Sequence, residues 1–194
     1  MYDVLDSRSK TNIALYFSSF PREERCRVKY VTIDMWEPYK EIANTYFPNC
    51  IVAVDPFHVI KHLHSNFERL RIDLMNRCDY GSNAYYLLKK WSWLLITDDV
   101  YLDNERVYNS RFRMKLNRRD IRDMIFDAFP VLFTAYHLKE RYRKMNAECS
   151  YDEAVCQYDE IALAFKRSGI HQFEEFTGIL FAWRTEILNS FYRP

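Results

Sequence analysis

The chain has 194 residues, of which 48% are hydrophobic, and a formal net charge of +1. This composition excludes general disorder, and so small a net charge provides no overall field that would hold nucleic acid. The sequence contains three glycines, whereas 17% of its residues are aromatic. A hairpin-rich sandwich or barrel and a glycine-rich phosphate loop are therefore excluded, and a mostly helical domain with an aromatic core is predicted.

The five cysteines are widely spaced and include no Cys-x-x-Cys pair. An odd number of widely spaced cysteines is typical of a reduced cytoplasmic protein and not of a disulfide framework or zinc finger. The longest apolar runs, such as residues 91–96, are too short to span a bilayer, and the N-terminus lacks the pattern of a signal peptide. We therefore expect a soluble, cytoplasmic protein that does not contact membranes.

The first quarter of the chain has the pattern of α/β structure. Residues 28–34 and 50–54 are short runs rich in β-branched residues and apolar on both faces. The first run ends with Asp34, and Asp55 directly follows the second. A helix is predicted between them at 37–46, where Pro38 suits the first turn. A strand, helix and strand joined by so short a crossover imply two parallel strands in a right-handed unit.

The remaining elements are mostly helical. Residues 2–5 are a candidate third strand, and Ser9 is a plausible cap for a helix that extends to about residue 20. Beyond Asp55 the strand signals nearly vanish. Further helices are predicted at 56–77, 84–96, 105–116, 118–128, 130–146, 151–167 and 171–192. The predicted fold class is mostly α with a small α/β part.

Two aspartates are expected at one edge of the parallel sheet. Asp34 follows the first strand and Asp55 the second, and open α/β sheets bind ligands at the edge where parallel strands end. Two carboxylates at one edge can share a hard cation such as Mg²⁺. Alternatively, Asp55 is the N-cap of the helix that begins at Pro56, and Asp34 is a polar strand end.

Two histidines lie one helical turn apart after Asp55. His58 and His62 share a helix face, which is a geometry that can chelate a metal. A solvated polar face explains the same spacing. A hydrogen bond between Asp55 and His58 that fixes the sheet edge is a third interpretation.

Several motifs resemble transposases of bacterial insertion sequences of the ISL-three type. They are residues 31–39 (VTIDMWEPY), 47–49 (FPN) and 54–59 (VDPFHV), with a weaker likeness at 181–191 (FAWRTEILNSF). The motifs occur in the family's order. Together with residues near the N-terminus, the resemblance covers nearly the whole chain.

The resemblance implies an RNase H-like core interrupted by a long helical insertion. Residues 1–59 would be a partial core, 60–180 the insertion and 181–194 a return helix. Such enzymes hold two Mg²⁺ ions with an Asp, Asp, Glu triad for in-line attack on a DNA phosphate. Asp34 matches the second catalytic aspartate, hence a metal ligand, and Asp55 and His58 match an Asp-x-x-His motif.

Other parts of the family pattern have no match in the sequence. The first catalytic aspartate and its strand are expected before Met1, and the catalytic glutamate after Pro194. Glu186 is the nearest substitute for that glutamate. A supporting role fits Glu186 better than a catalytic one. We therefore expect a fragment that is inactive alone. The strand bearing Asp34 would have an open edge, which favours a homodimer or a rearranged sheet filled by residues 2–5.

Two basic runs, at 105–119 and 139–144, interleave aromatic with cationic residues, a pattern suited to DNA backbones. The candidate DNA contacts are Arg106, Arg111, Arg113, Lys115, Arg118, Arg119, Lys139 and Arg143. A solvated helix face explains these runs equally well, and the cluster at 91–95 is interpreted as core. The function expected is that of a DDE transposase fragment, and the alternative is a non-catalytic helical module that binds DNA or protein.

Overall fold

A computed structural model of the chain describes residues 5, 7, 9–97 and 100–192. It is mostly helical, with one parallel and one antiparallel pair of strands in the described part. The described elements are α1 (Lys10–Ser18), α2 (Arg22–Arg27), β1 (Tyr30–Ile33), α3 (Glu37–Tyr46), β2 (Ile51–Val54), α4 (Pro56–Asn76), α5 (Asn83–Lys90), α6 (Trp93–Ile96), β3 (Val107–Asn109), β4 (Met114–Leu116), α7 (Arg118–Ala128), α8 (Pro130–Glu148), α9 (Tyr151–Arg167), α10 (His171–Ala182) and α11 (Arg184–Asn189). The mostly-α class with a small α/β part is confirmed.

The parallel pair forms as its sequence predicts. Strands β1 and β2 pair from Tyr30 opposite Ile51 to Ile33 opposite Val54, and α3 crosses between them. Helix α11 packs against β2, where the Asn189 side chain donates a hydrogen bond to the carbonyl of Val52 at 2.8 Å. The candidate strand at 2–5 lies outside the described residues except for Leu5, which is not in a strand.

Side-chain caps determine where several helices begin. Ser9 accepts a hydrogen bond from the backbone N–H of Asn12 at the start of α1, as predicted. Helix α9 starts with a reciprocal capping box, in which Ser150 and Glu153 each bind the other's backbone N–H. Such caps satisfy N–H groups that have no partner inside the helix.

Helix α4 lies at the centre of the apolar core. Its residues Val59, Leu63, Phe67 and Leu70 are at most 5% exposed, and the helix packs against α5, α8 and α10. Their spacing of four, four and three residues places all four on one side of the helix. The division of the chain at residues 59 and 60 stays a prediction, and α4 crosses it without a break.

The helix predicted at 105–116 is wrong, because this segment forms the hairpin of β3 and β4. The Asn109 side-chain oxygen accepts hydrogen bonds from the backbone N–H groups of Arg111 and Phe112, at 3.0 and 3.4 Å, which turns the chain. Arg113 completes the turn with a left-handed backbone, at φ 55°. A local Asx turn therefore outweighs the helical spacing of the apolar residues.

Smaller differences concern the ends of elements. Helix α2 is not predicted, and the helices expected at 84–96 and 171–192 each divide into two, α5 with α6 and α10 with α11. In the described part of the chain, no helix is both long and apolar enough to cross a membrane. All five cysteines are free thiols.

Two buried tyrosines provide a matched test of the core. Tyr158 donates a hydrogen bond to the Leu180 carbonyl at 2.8 Å, whereas the Tyr142 hydroxyl is buried with no hydrogen-bond partner among the described residues. Burial raises the pKa of both phenols.

We expect Tyr158→Phe to lower the free energy of unfolding by about 1 kcal/mol, because it leaves a buried carbonyl short of one donor. Tyr142→Phe should leave the stability unchanged or raise it. Urea unfolding of the two variants beside the unsubstituted chain measures the difference. Equal losses in both would contradict the assigned hydrogen bond.

Candidate functional site

The two aspartates lie at the same edge of the parallel sheet. Asp34 and Asp55 directly follow Ile33 and Val54, which are paired across the sheet. The backbone N–H of Asp55 donates to the Ile33 carbonyl at 2.8 Å, so the pairing continues to the end of the strands. The arrangement predicted from the strand–helix–strand order is therefore present.

Asp55 also begins helix α4. One of its carboxylate oxygens accepts the backbone N–H of Phe57 at 2.9 Å, which makes Asp55 the N-cap. Its other oxygen is 4.0 Å from the ring Nε2 of His58, too long for a hydrogen bond. The backbone holds His58 instead, since its N–H donates to the Asp55 carbonyl at 3.0 Å. The side chains of Asp55 and His58 are thus close without a hydrogen bond between them, and His62 lies exposed one turn further on.

Two carboxyl side chains lie at this edge of the sheet. Asp34 and Asp55 carry the carboxylate oxygens that Mg²⁺ takes as ligands. Among residues 5, 7, 9–97 and 100–192, no group of three or more His, Cys, Asp or Glu side chains could hold a metal ion. The described residues therefore do not complete a Mg²⁺ site.

Glu186 links α11 to α3. It is 8% exposed, and the Lys40 ammonium lies 2.8 Å from its carboxylate. The same ammonium stands over the Trp183 ring, 5.0 Å from the centroid. Because α3 begins three residues after Asp34, this contact ties the 181–191 motif to the helix beside the aspartate edge. The structure thus engages Glu186 in an ion pair.

The hairpin and the start of α7 carry six of the predicted DNA contacts, and two of these are neutralised. Arg106 binds the Asp120 carboxylate through two hydrogen bonds of 2.9 and 3.0 Å, and Arg119 binds Asp103 through two of 2.7 Å. These hydrogen bonds lower the pKa of both carboxyl groups. Neither arginine offers a free charge.

The other four cations at this place have no acidic partner within ion-pair distance in the described chain. Arg113 and Lys115 are exposed on the hairpin. Arg111 donates to the side-chain oxygen of Asn83 at 2.7 Å and to the Gly81 carbonyl. The fourth, at the first position of α7, is Arg118. The hairpin is therefore a locally positive surface on a nearly neutral chain.

The second basic run does not form a comparable surface. Lys139 is 1% exposed, and its ammonium binds Glu140 beneath the rings of Phe67 and Tyr136. The hypothesis that Lys139 contacts DNA is wrong in this structure, because the helical repeat places the residue on the core face of α8. Arg143 is half-buried and binds Glu140 at 3.1 Å.

Comparison with known proteins identifies the family. The model of the ISL3 family of DDE transposases, described as "Transposase", matches residues 1–194. The chain belongs to this family. The transposase for insertion sequence element IS1001 from Bordetella parapertussis is 24% identical over 139 residues, which are 71% of this chain and 31% of that protein. This transposase-family chain thus spans about a third of that relative, and no solved structure matches it significantly.

Sequence reasoning missed several residues that the transposase chain brings together. The sequence did not indicate the partners of Lys40 and Asn189, since both residues act through contacts with elements distant in the chain. Trp91 and Trp93 were interpreted as core and do pack against it, but both are only half-buried and also line a cavity beside Lys90. The sequence signal that could have indicated this cavity is the pair of lysines at 89–90, immediately before Trp91 and Trp93.

Removal of Lys40 tests the role of Glu186. We expect Lys40→Met to lower the free energy of unfolding by about 1–3 kcal/mol, because Glu186 would stay buried without its cation. The control is Lys10→Met, which breaks an exposed pair with Glu41 on the same helix α3 and should cost less than about 1 kcal/mol. Thermal unfolding of both variants gives the comparison, and similar small losses would show that the Glu186 pair is not structural.

Proposed function

We propose that the chain contributes the catalytic aspartate Asp34 to metal-dependent phosphoryl transfer on DNA, as part of a DDE transposase with an RNase H-like core. The observation that carries the proposal is the pairing of Ile33 with Val54, which brings Asp34 and Asp55 to one sheet edge within a chain that matches the family from end to end. Asp55 serves this edge as the cap that starts α4.

In this proposal Asp34 offers one carboxylate ligand to Mg²⁺. When bound, such a cation supplies charge stabilisation at the phosphate under attack. The described residues do not complete the ligand set, and Glu186 is held by Lys40. We therefore propose that the chain has no nuclease or strand-transfer activity alone and that further carboxylates must join Asp34. A role for His58 in this site stays a prediction, because its ring nitrogen lies 4.0 Å from the Asp55 carboxylate.

The hairpin is the proposed DNA contact. Its exposed cations, Arg113 and Lys115, lie on a two-stranded antiparallel ribbon, and a ribbon of this kind fits the major groove of DNA. Arg111 and Arg118 add positive charge beside it. The proposed setting is the cytoplasm, where the five free thiols would stay reduced.

The alternative of a non-catalytic interaction module keeps one observation in its favour. Asp55 acts as an N-cap, as that hypothesis requires, and a cap needs no metal. The two functions differ in whether Asp34 binds a divalent cation.

Binding of Mn²⁺ in place of Mg²⁺ tests the proposal through NMR line broadening. We expect Mn²⁺ to broaden the amide signals around Asp34 and Asp55 first, and Asp34→Asn to remove most of this effect. Asp152→Asn, an exposed acid on α9, is the matched control and should change nothing.

The same chain should not nick DNA with Mg²⁺ or Mn²⁺. Line broadening that persists in Asp34→Asn would contradict the proposed metal site. Nicking that Asp34→Ala abolishes would contradict the proposal that the chain is inactive alone.

The edge of β1 that no described strand covers is the proposed site of self-association. A cavity of about 390 Å³ is lined by four consecutive residues, Val31 to Asp34, so it runs along the strand edge and not along one face. No described strand pairs there. Leu5 also lines this cavity, which agrees with a rearranged sheet in which residues 2–5 fill the gap. A second copy of the chain is the other occupant.

Sedimentation at increasing concentration distinguishes these two occupants. We expect a dimer that Thr32→Pro dissociates, since proline removes a donor from the exposed strand edge. A strict monomer at high concentration would instead favour residues 2–5 as the covering segment.

A further inference from the structure

A second cavity, of about 350 Å³, lies between α5, α6, β3 and the start of α7, on the side of the molecule that carries the basic hairpin. Four aromatic rings line it: Tyr86, Trp91, Trp93 and Tyr108. The two indoles have centroids 6.1 Å apart and planes inclined by 35°. Tyr108 is 61% exposed, so its ring is open to a ligand. The cavity is therefore a place where a flat ligand can stack.

Cations surround these rings. The Lys90 ammonium stands 5.3 Å from the Tyr86 centroid and 5.9 Å from that of Trp91. The guanidinium of Arg118 stands 5.3 Å from the Trp93 centroid and donates to the Tyr101 carbonyl at 3.0 Å. Among the described residues that line the cavity none is acidic. Its charge thus favours an anionic ligand.

Groups able to form hydrogen bonds complete the lining. Asn104, Asn109, Ser110 and Asn117 contribute amide or hydroxyl groups, and Asn117 also caps α7. Burial would raise the pKa of Tyr86, but the neighbouring side chains of Trp91, Lys90 and Asn109 outweigh this effect and lower the pKa. The cavity therefore combines stacking faces, positive charge and polar groups that can read the edge of a base.

We propose that this cavity binds a single unpaired nucleotide of DNA, with the base against the aromatic rings and its phosphate near Lys90 and Arg118. The inference rests on the proposed function, because it requires DNA to contact the hairpin. Backbone phosphates alone need only surface cations, as Arg113 and Lys115 provide. Recessed rings with hydrogen-bonding groups are what an unstacked base requires.

The test compares two short DNA duplexes that differ only by one unpaired adenosine, titrated into the full chain and followed by fluorescence anisotropy. We expect tighter binding of the duplex with the unpaired base by about 10-fold, as one stacked base contributes. Tyr108→Ala and Lys90→Gln should each remove most of this preference, so that the two duplexes bind with similar affinity.

Two control variants separate this site from general DNA binding. Phe181→Ala removes an aromatic side chain of 45% exposure from α10 and should change neither affinity. Arg113→Ala should weaken both duplexes equally and keep the preference. Iododeoxyuridine at the unpaired position, crosslinked by light, should attach to a peptide that includes Trp91, Trp93 or Tyr108.

The possible failures are distinguishable. If both duplexes bind equally, the nucleotide site is overturned while DNA binding by the proposed transposase stands. If neither binds, both proposals fail. A preference that survives Tyr108→Ala and Lys90→Gln, or a crosslink that maps to α9 or α10, would also overturn the site.

Discussion

The rest of the structure depends on the direct passage from strand β2 into helix α4. Asp55 ends the sheet pairing with its backbone N–H and starts the helix with its carboxylate. The helix then carries Val59, Leu63 and Phe67 into the centre of the core. One residue therefore couples the orientation of the sheet to that of the helices α5, α8 and α10, which pack on α4. Any displacement of this junction would move both the aspartate edge and the core.

Long-range polar contacts close the fold around this junction. Lys40 joins Glu186, and Asn189 reaches the carbonyl of Val52, so the last described helix is fastened to both sides of the strand–helix–strand unit. These contacts join the 181–191 motif to the elements that carry the two aspartates. The motif holds the edge in position from the far end of the chain.

Most elements could be predicted, because their signals are local. The aspartate edge followed from two β-branched runs around one short helix, and α4 from its cap and apolar spacing. The hairpin could not be predicted, since its strands have three residues each and its turn lacks glycine. Lys139 was misinterpreted for another reason. Its charge indicates a surface position, but the Glu140 carboxylate and two rings make burial tolerable.

At the turn of the hairpin, an unstrained backbone and a positively charged side chain require different residues. Gly81 and Gly169 occupy left-handed backbone positions, whereas at the hairpin an arginine adopts the same conformation. For a residue with a side chain this conformation costs about 1 kcal/mol. A glycine at Arg113 would relax the backbone but would remove one of four unneutralised cations. Arg113 therefore keeps a positive charge at the turn of the hairpin at a cost in backbone strain.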